Sequence, residues 1–136
     1  MSVVYLSSDW IDAADSLLRS TVIDPPMAGD AFTVETCVVG ATDGDRRYVI
    51  EFGGATVRAR RARPGEHATV RLTQDYATAV AVARGELSAQ AAFLAADIQV
   101  GGDVSTLIAN AGLIAQVGDA LAPLRADTRF DVTQDA

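Results

Sequence analysis

Between Gly85 and Asp103 the chain changes its hydrophobic period twice, from helix to strand and back, within about twenty residues. Leu87, Ala91 and Leu94 recur at helical spacing with Phe93 beside them, after Ser88, a residue suited to cap a helix. Ile98 and Val100 then alternate with Asp97 and Gln99, as a half-buried strand does. Gly101-Gly102 interrupts the strand, and Asp103 is placed to cap the next helix. The run carries almost no charge and no catalytic side chain. It builds walls, and it suits a container for something apolar.

The rest of the chain supplies the sheet. Ser8 is expected to cap a helix over 9–22, with Trp10, Ala13, Ala14, Leu17, Leu18 and Thr21 on one face and Pro25-Pro26 as its stop. Residues 32–39 are rich in β-branched side chains and lead into a hairpin loop over Gly40–Asp45. Tyr48, Ile50 and Phe52 alternate with Arg47, Val49 and Glu51. Gly53-Gly54 turns the chain into Val57, Arg58, Ala59 and Arg60, and Pro64-Gly65 turns it into Ala68, Val70 and Leu72. Four such strands predict an antiparallel meander with one wet and one dry face. Thr73 is expected to cap a helix over 74–84, and a fifth strand is expected over 97–101.

A long helix is then predicted from Asp103. One stripe holds Val104, Leu107, Ile108, Ala111, Ile114, Ala115 and Gly118; a second holds Leu113, Val117, Leu121 and Leu124. A helix apolar on both sides is expected to be buried on both. The order predicts an α+β fold, a five-stranded mainly antiparallel sheet covered on one face by helices. Its 136 residues suit a single domain over 1–128 with a C-terminal tail over 129–136.

Composition narrows the function classes. The net charge of −7 disfavours nucleic acid as a partner. Every basic residue is arginine, which excludes a lysine Schiff base and a P-loop lysine. Cys37 stands alone and cannot close an intramolecular disulfide, as befits a reducing compartment. The start lacks the basic and apolar regions of a signal peptide, and no apolar run is long enough for an integral membrane segment. A cytoplasmic location is expected.

The chain resembles the sterol carrier protein type-two domain, also called the sterol-transfer domain. The likeness rests on Gly85-Glu86-Leu87-Ser88, on Ala92-Phe93-Leu94, on Ile98-Gln99-Val100-Gly101-Gly102-Asp103, and on Leu107 in the following helix. It is strongest over 73–108. Ala96 stands where that family usually has glycine, and Asp97 where it usually has a basic residue. The alanine is expected to shift the helix-to-strand turn, since it resists positive φ. The resemblance implies a five-stranded sheet with helices on one face, an apolar tunnel for fatty acyl chains, sterols or similar lipids, and no catalysis.

If the dry face and the last helix enclose a ligand, the wall candidates on the sheet are Tyr48, Ile50, Phe52, Val57, Val70 and Leu72. From the helices come Tyr76, Phe93, Leu107, Ile108, Ala111 and Ile114. The alternative is that these residues simply pack against one another. Seven arginines between Arg46 and Arg71 could meet an anionic membrane surface, but they suit a solvated sheet face paired with Glu35 and Glu51 better. His67 has no local partner for catalysis, and Cys37 reads as a small inert hydrophobe. Asp12 with Asp15 decorates a helix's wet face, and Asp43 with Asp45 a turn. No nucleophile, metal or phosphate motif occurs, and no cofactor is expected. Residues 88–96 hold no arginine, which rules out a recognition helix.

The expected function is therefore non-enzymatic binding or transfer of a fatty acid or sterol-like ligand. The alternative is an accessory module that docks on an enzyme partner, or forms a homodimer, through its apolar C-terminal helix.

Overall fold

Val3–Val4 form a short strand, β1, and the chain turns at Tyr5-Leu6 into helix α1 (Ser8–Arg19). Leu6 takes a left-handed conformation, φ +67°, yet its side chain is buried. The strain costs about 1–2 kcal/mol. Burying a leucine contributes about 1.5–3 kcal/mol, so burial wins. Ser7, one residue earlier than expected, caps α1 by accepting the Trp10 N–H at 3.2 Å. This computed structural model describes residues 3–20, 31–40, 44–53 and 56–130. The expected Pro25-Pro26 stop, the centre of the Gly40–Asp45 loop, Gly54 and the tail from 131 lie outside the described residues, as do the side chains of Ala89 and Gln90.

The sheet contains β2 (Phe32–Val39), β3 (Arg46–Gly53), β4 (Thr56–Arg61), β5 (Val70–Asp75) and, after two helices, β6 (Ile98–Gly102). Its order is β4-β3-β2-β5-β6. The expected four-strand meander is corrected here: β5 does not pair with β4 but lies parallel to β2, with Val34 beside Val70 and Thr36 beside Leu72. Parallel pairing needs a long crossover, and the β3–β4 hairpin is that crossover. The other three pairings are antiparallel.

Register sorts the side chains by face. Phe32, Val34, Val38, Ile50, Phe52, Val57, Ala59 and Val70 point to the core side, where Phe32 stacks on Phe52 at 4.6 Å. The opposite face carries charge. Glu35, 1% exposed, receives Nε–H of Arg47 at 2.9 Å and Nε–H of Arg71 at 2.6 Å. Arg60 donates to Glu51 (2.9 Å) and to Glu66 (2.5 Å). Val49 on that face is wholly buried, with Glu35 and Arg60 as its cross-strand neighbours. Arg47, Arg60 and Arg71 are ion-paired on this face, as the paired reading expects, although Glu35 at its centre is buried and not solvated.

Asp15 departs from its expected place on a wet helix face. It is buried in the apolar stripe of α1, where Oδ1 accepts the backbone N–H of Ala59 at 2.9 Å and the carboxylate takes both prongs of Arg58 at 2.8 and 3.0 Å. β4 is the sheet's edge, and Asp15 satisfies an edge amide that would otherwise lie unpaired.

Asp75, not Thr73, caps the next helix, α2 (Tyr76–Ala83), by accepting Thr78 N–H at 2.7 Å. The strand therefore continues through Gln74, which was expected to be helical. Ser88 caps α3 (Ala89–Leu94) as expected, accepting Ala91 N–H at 3.0 Å. Asp103 caps α4 (Val104–Ala109) through Thr106 N–H at 3.2 Å.

The expected long helix is two. Asn110, φ −115° and ψ 21°, ends α4, its side-chain amide donating to Thr106 C=O at 2.8 Å, and α5 (Ala111–Leu121) restarts after it. Burial on both sides of this helix is not found either. Val117 and Leu124 of the second stripe are buried and Leu113 and Leu121 pack on the core. In the first stripe Val104 is 40% and Ile108 71% exposed, and Ala111 is exposed too. A 3-10 segment, Ala122–Asp127, leads to β7 (Thr128–Arg129), which pairs with β1 in parallel, Val3 beside Thr128. Arg129 and Phe130, expected in the tail, are thereby held in the fold. Tyr76 donates its hydroxyl to Phe130 C=O at 2.6 Å.

Candidate functional site

The core side of the sheet is not fully filled. Between it and the helices lies a cavity of about 250 Å³. Val34, Thr36, Ile50, Phe52 and Leu72 form its floor, Ala79, Val82 and Ala83 of α2 one wall, and Ile114, Val117, Gly118 and Leu121 of α5 the other. Small residues at 79, 83 and 118 leave this space open; larger ones would fill it.

One end is aromatic. Trp10 meets Tyr48 at 5.5 Å and Tyr5 at 5.1 Å between ring centroids, and Tyr5 meets Phe130 at 5.1 Å. Tyr5 donates its hydroxyl to Ala79 C=O at 3.4 Å. Burial pushes the phenol of Tyr5 well above its ordinary value and raises that of Tyr48 too, so both remain neutral. Gly118, Ala122 and Arg125 line the cavity and also face solvent, which marks its mouth. Arg125 is held there by its Nε–H to Ala83 C=O at 2.8 Å, and the bare Cα of Gly85 leaves room for the guanidinium.

Among the described residues the lining contains no carboxylate, cysteine or histidine, and Arg125 is its one formal charge. Such a wall can hold an apolar body by burial alone. A second, shallower concavity is lined by Val39, Gly40, Asp75, Tyr76, Val80 and Arg84, with Phe130 shared between the two. Its carboxylate is already engaged in capping α2.

The structure gathers some of the expected wall residues and disperses others. Tyr48, Ile50, Phe52, Leu72 and Ile114 line the cavity. Val57 and Val70 are buried in the packed core away from it, and Leu107 is partly buried against that core. Tyr76 lines the second concavity. Phe93, Ile108 and Ala111 are exposed. His67 is exposed and away from the cavity. Cys37 is on the charged face of the sheet, its thiol pKa raised chiefly by burial. Tyr5, Trp10, Gln74 and Phe130 line the cavity without having been singled out. Trp10 was legible as apolar helix face, whereas Tyr5 and Phe130 meet only through the two-residue β1–β7 pairing, which has no sequence period to betray it.

No protein-family model matches the chain, and no curated protein matches it. Solved structures do. Sterol carrier protein 2 superposes with a TM-score of 0.66 at 14% identity, covering 87% of this chain and 97% of that one. A Thermus thermophilus protein, described as a conserved hypothetical protein and possibly sterol carrier protein, gives 0.57 at 14% identity over 94% and 93%. Palmitated SCP2L2 from Aedes aegypti gives 0.55 at 16% identity over 89% and 95%. The chain has the sterol carrier protein type-2 fold.

Proposed function

We propose that this chain is a carrier that binds a slim apolar ligand, such as a fatty acyl chain, in the cavity between sheet and helices, and that it does so without catalysis. The observation that carries this reading is the cavity itself. The cavity of about 250 Å³ opens to solvent at its mouth and is lined mostly by apolar side chains, so an apolar occupant gains by removing those walls from water. The volume is just under the ~300–1,000 Å³ of pockets for drug-sized ligands, which suits one acyl chain better than a fused-ring sterol. Each buried methylene contributes ~0.8 kcal/mol, enough for binding without a charged anchor. The palmitated relative of the same fold supports the reading.

Native mass spectrometry of freshly purified protein, with solvent extraction of any bound lipid, tests it. Co-purifying lipid, or saturable displacement of a fluorescent fatty acid, is expected. Protein that is empty and binds no such probe contradicts it.

A second reading, docking on an enzyme or on a second copy, is favoured by exposed apolar side chains on the helices either side of β6. These are Phe93 (46%), Leu94 (75%), Val104 (40%) and Ile108 (71%). Light scattering of wild type and Ile108→Ser separates the two. A dimer that the substitution dissolves supports docking, and a lipid-loaded monomer supports the carrier alone.

A further inference from the structure

β4 and β6 are the two edges of the sheet, and the chain treats them differently. β4 is guarded: α1 packs along it, Asp15 takes the Ala59 N–H, and Arg58, Arg60 and Arg61 stud it. β6 carries neither a charged side chain nor a proline between Ile98 and Gly102. The Asp103 N–H bonds Thr69 C=O on the β5 side. By antiparallel alternation Gln99 and Gly101 therefore face β5, while Ile98 and Val100 turn their N–H and C=O outward. Among the described residues no backbone group bonds to that outer edge.

α3 leads into β6 and α4 leads out, so exposed Phe93 and Leu94 stand at one end of the strand and exposed Val104 and Ile108 at the other. Charge here has one sign. From Gly85 to Leu124 no basic residue occurs, whereas Glu86, Asp97, Asp103 and Asp119 do, and Asp97 and Asp103, both exposed, bracket the strand. Arg71, across from Gly101 on β5, is already paired with Glu35. A second copy is a poor match: each carries −7, and a two-fold pairing about Val100 sets Asp97 of each opposite Asp103 of the other. An anionic lipid surface is repelled for the same reason.

We infer that the β6 edge takes up an extended segment of a partner protein as a sixth strand, basic where it passes Asp97 and Asp103 and apolar at alternate positions between them. The backbone of Ile98 and Val100 supplies the hydrogen bonds, and the exposed side chains of α3 and α4 supply apolar cover. The inference rests on the docking reading above, of which it names the partner, and is independent of the carrier reading.

Capped heptapeptides in which valine and threonine alternate between two terminal arginines, or between two terminal glutamates, test it by calorimetry and amide hydrogen exchange. The arginine peptide is expected to bind about tenfold tighter than the glutamate one at low salt, a gap that narrows as salt is added, and to slow exchange at Ile98 and Val100. Val100→Pro, which removes an outward N–H, is expected to weaken the arginine peptide about tenfold. Asp97→Asn, which leaves the backbone intact should the proline variant misfold, is expected to cut the preference to about threefold; circular dichroism checks both. Equal affinities, or protection elsewhere on the surface, overturn the inference. Self-association without peptide, with the same two amides protected, gives the edge to a second copy; it overturns the inference and leaves docking standing. Protection of them by phosphatidylserine vesicles instead of by the arginine peptide also overturns it. A monomer that binds neither peptide nor vesicle overturns the inference and the docking reading together.

Discussion

Gly102 approaches the backbone of Thr69 so closely that a Cβ at 102 would lie 2.4 Å from the Thr69 carbonyl oxygen. The same oxygen accepts the N–H of Asp103 at 2.8 Å, which joins the end of β6 to the residue before β5 and sets the start of α4. Gly102 also has φ +82°, a conformation that costs other residues about 1–2 kcal/mol. Gly102→Ala is therefore expected to destabilise by at least ~2 kcal/mol, because the clash is with backbone and cannot relax by a rotamer change. Gly101→Ala, which meets nothing within 4 Å, is the control and should change little. Urea denaturation of the two variants checks this.

Ala96 has φ +63°, so the turn between α3 and β6 keeps its left-handed residue without a glycine. The shift expected from alanine does not occur; the turn stays and the strain remains. Ala96→Gly should relieve that strain, offset in part by the greater freedom of glycine when unfolded, for a net gain of about 0.5–1 kcal/mol. Thermal melts measure it.

Acid should loosen the charged face and the edge clasp. The guanidinium of Arg60, with the Arg63 backbone N–H, holds Glu66 down from 4.5 to about 2. Asp15 is lowered by its bond from Arg58, helped by the Ala59 N–H. Carboxylates depressed on folding contribute stability that is complete above their unfolded values and is lost as pH falls through the folded ones. For Glu66 the window runs from about pH 4.5 down to about 2. The urea midpoint is expected to hold from neutrality to about pH 5 and then decline. Glu66→Gln should flatten part of that decline. Asp15→Ala, which strands the buried Ala59 N–H, should cost about 1–3 kcal/mol at neutral pH.

Gly118 gives an experiment in which stability and binding move in opposite directions. It lies inside α5 at the cavity mouth, with open space where a Cβ would go. Gly118→Ala should stabilise by roughly 0.8–1 kcal/mol through helix propensity. Gly118→Trp should reduce uptake of a fluorescent fatty acid by blocking the mouth. Uptake unchanged by the tryptophan would place the entrance elsewhere.

The strands, their order in the chain and two of the four caps were legible because side-chain alternation and capping chemistry are local. Ser88 and Asp103 cap where the pattern placed them, whereas the fifth strand lies one residue later than expected and runs through Gly101-Gly102, which pair with Arg71 and Val70 instead of interrupting it. What local patterns could not show was partnership. β5 has the same alternation whether it pairs with β4 or crosses to β2, since the connection over 62–69 is long enough for either. Gln74 was hidden by a two-residue error in the cap: Thr73 is as good a cap as Asp75, and only the strand pairing to Val38 and Ile98 decides. The wall residues of the last helix were misassigned for a similar reason. After the break at Asn110 both stripes contribute to the wall, Ile114 and Gly118 from the first and Val117 and Leu121 from the second, while Val104, Ile108 and Ala111 of the first are left exposed.

The most direct measurement is a titration of the methyl-labelled protein with palmitate, followed by nuclear magnetic resonance with ligand-to-protein contacts recorded. The account expects saturable shifts and contacts at Val34, Ile50, Leu72, Ile114 and Val117, which line the cavity. Changes confined to Leu94, Val104 and Ile108 on the outer surface, or none at any methyl, would contradict it.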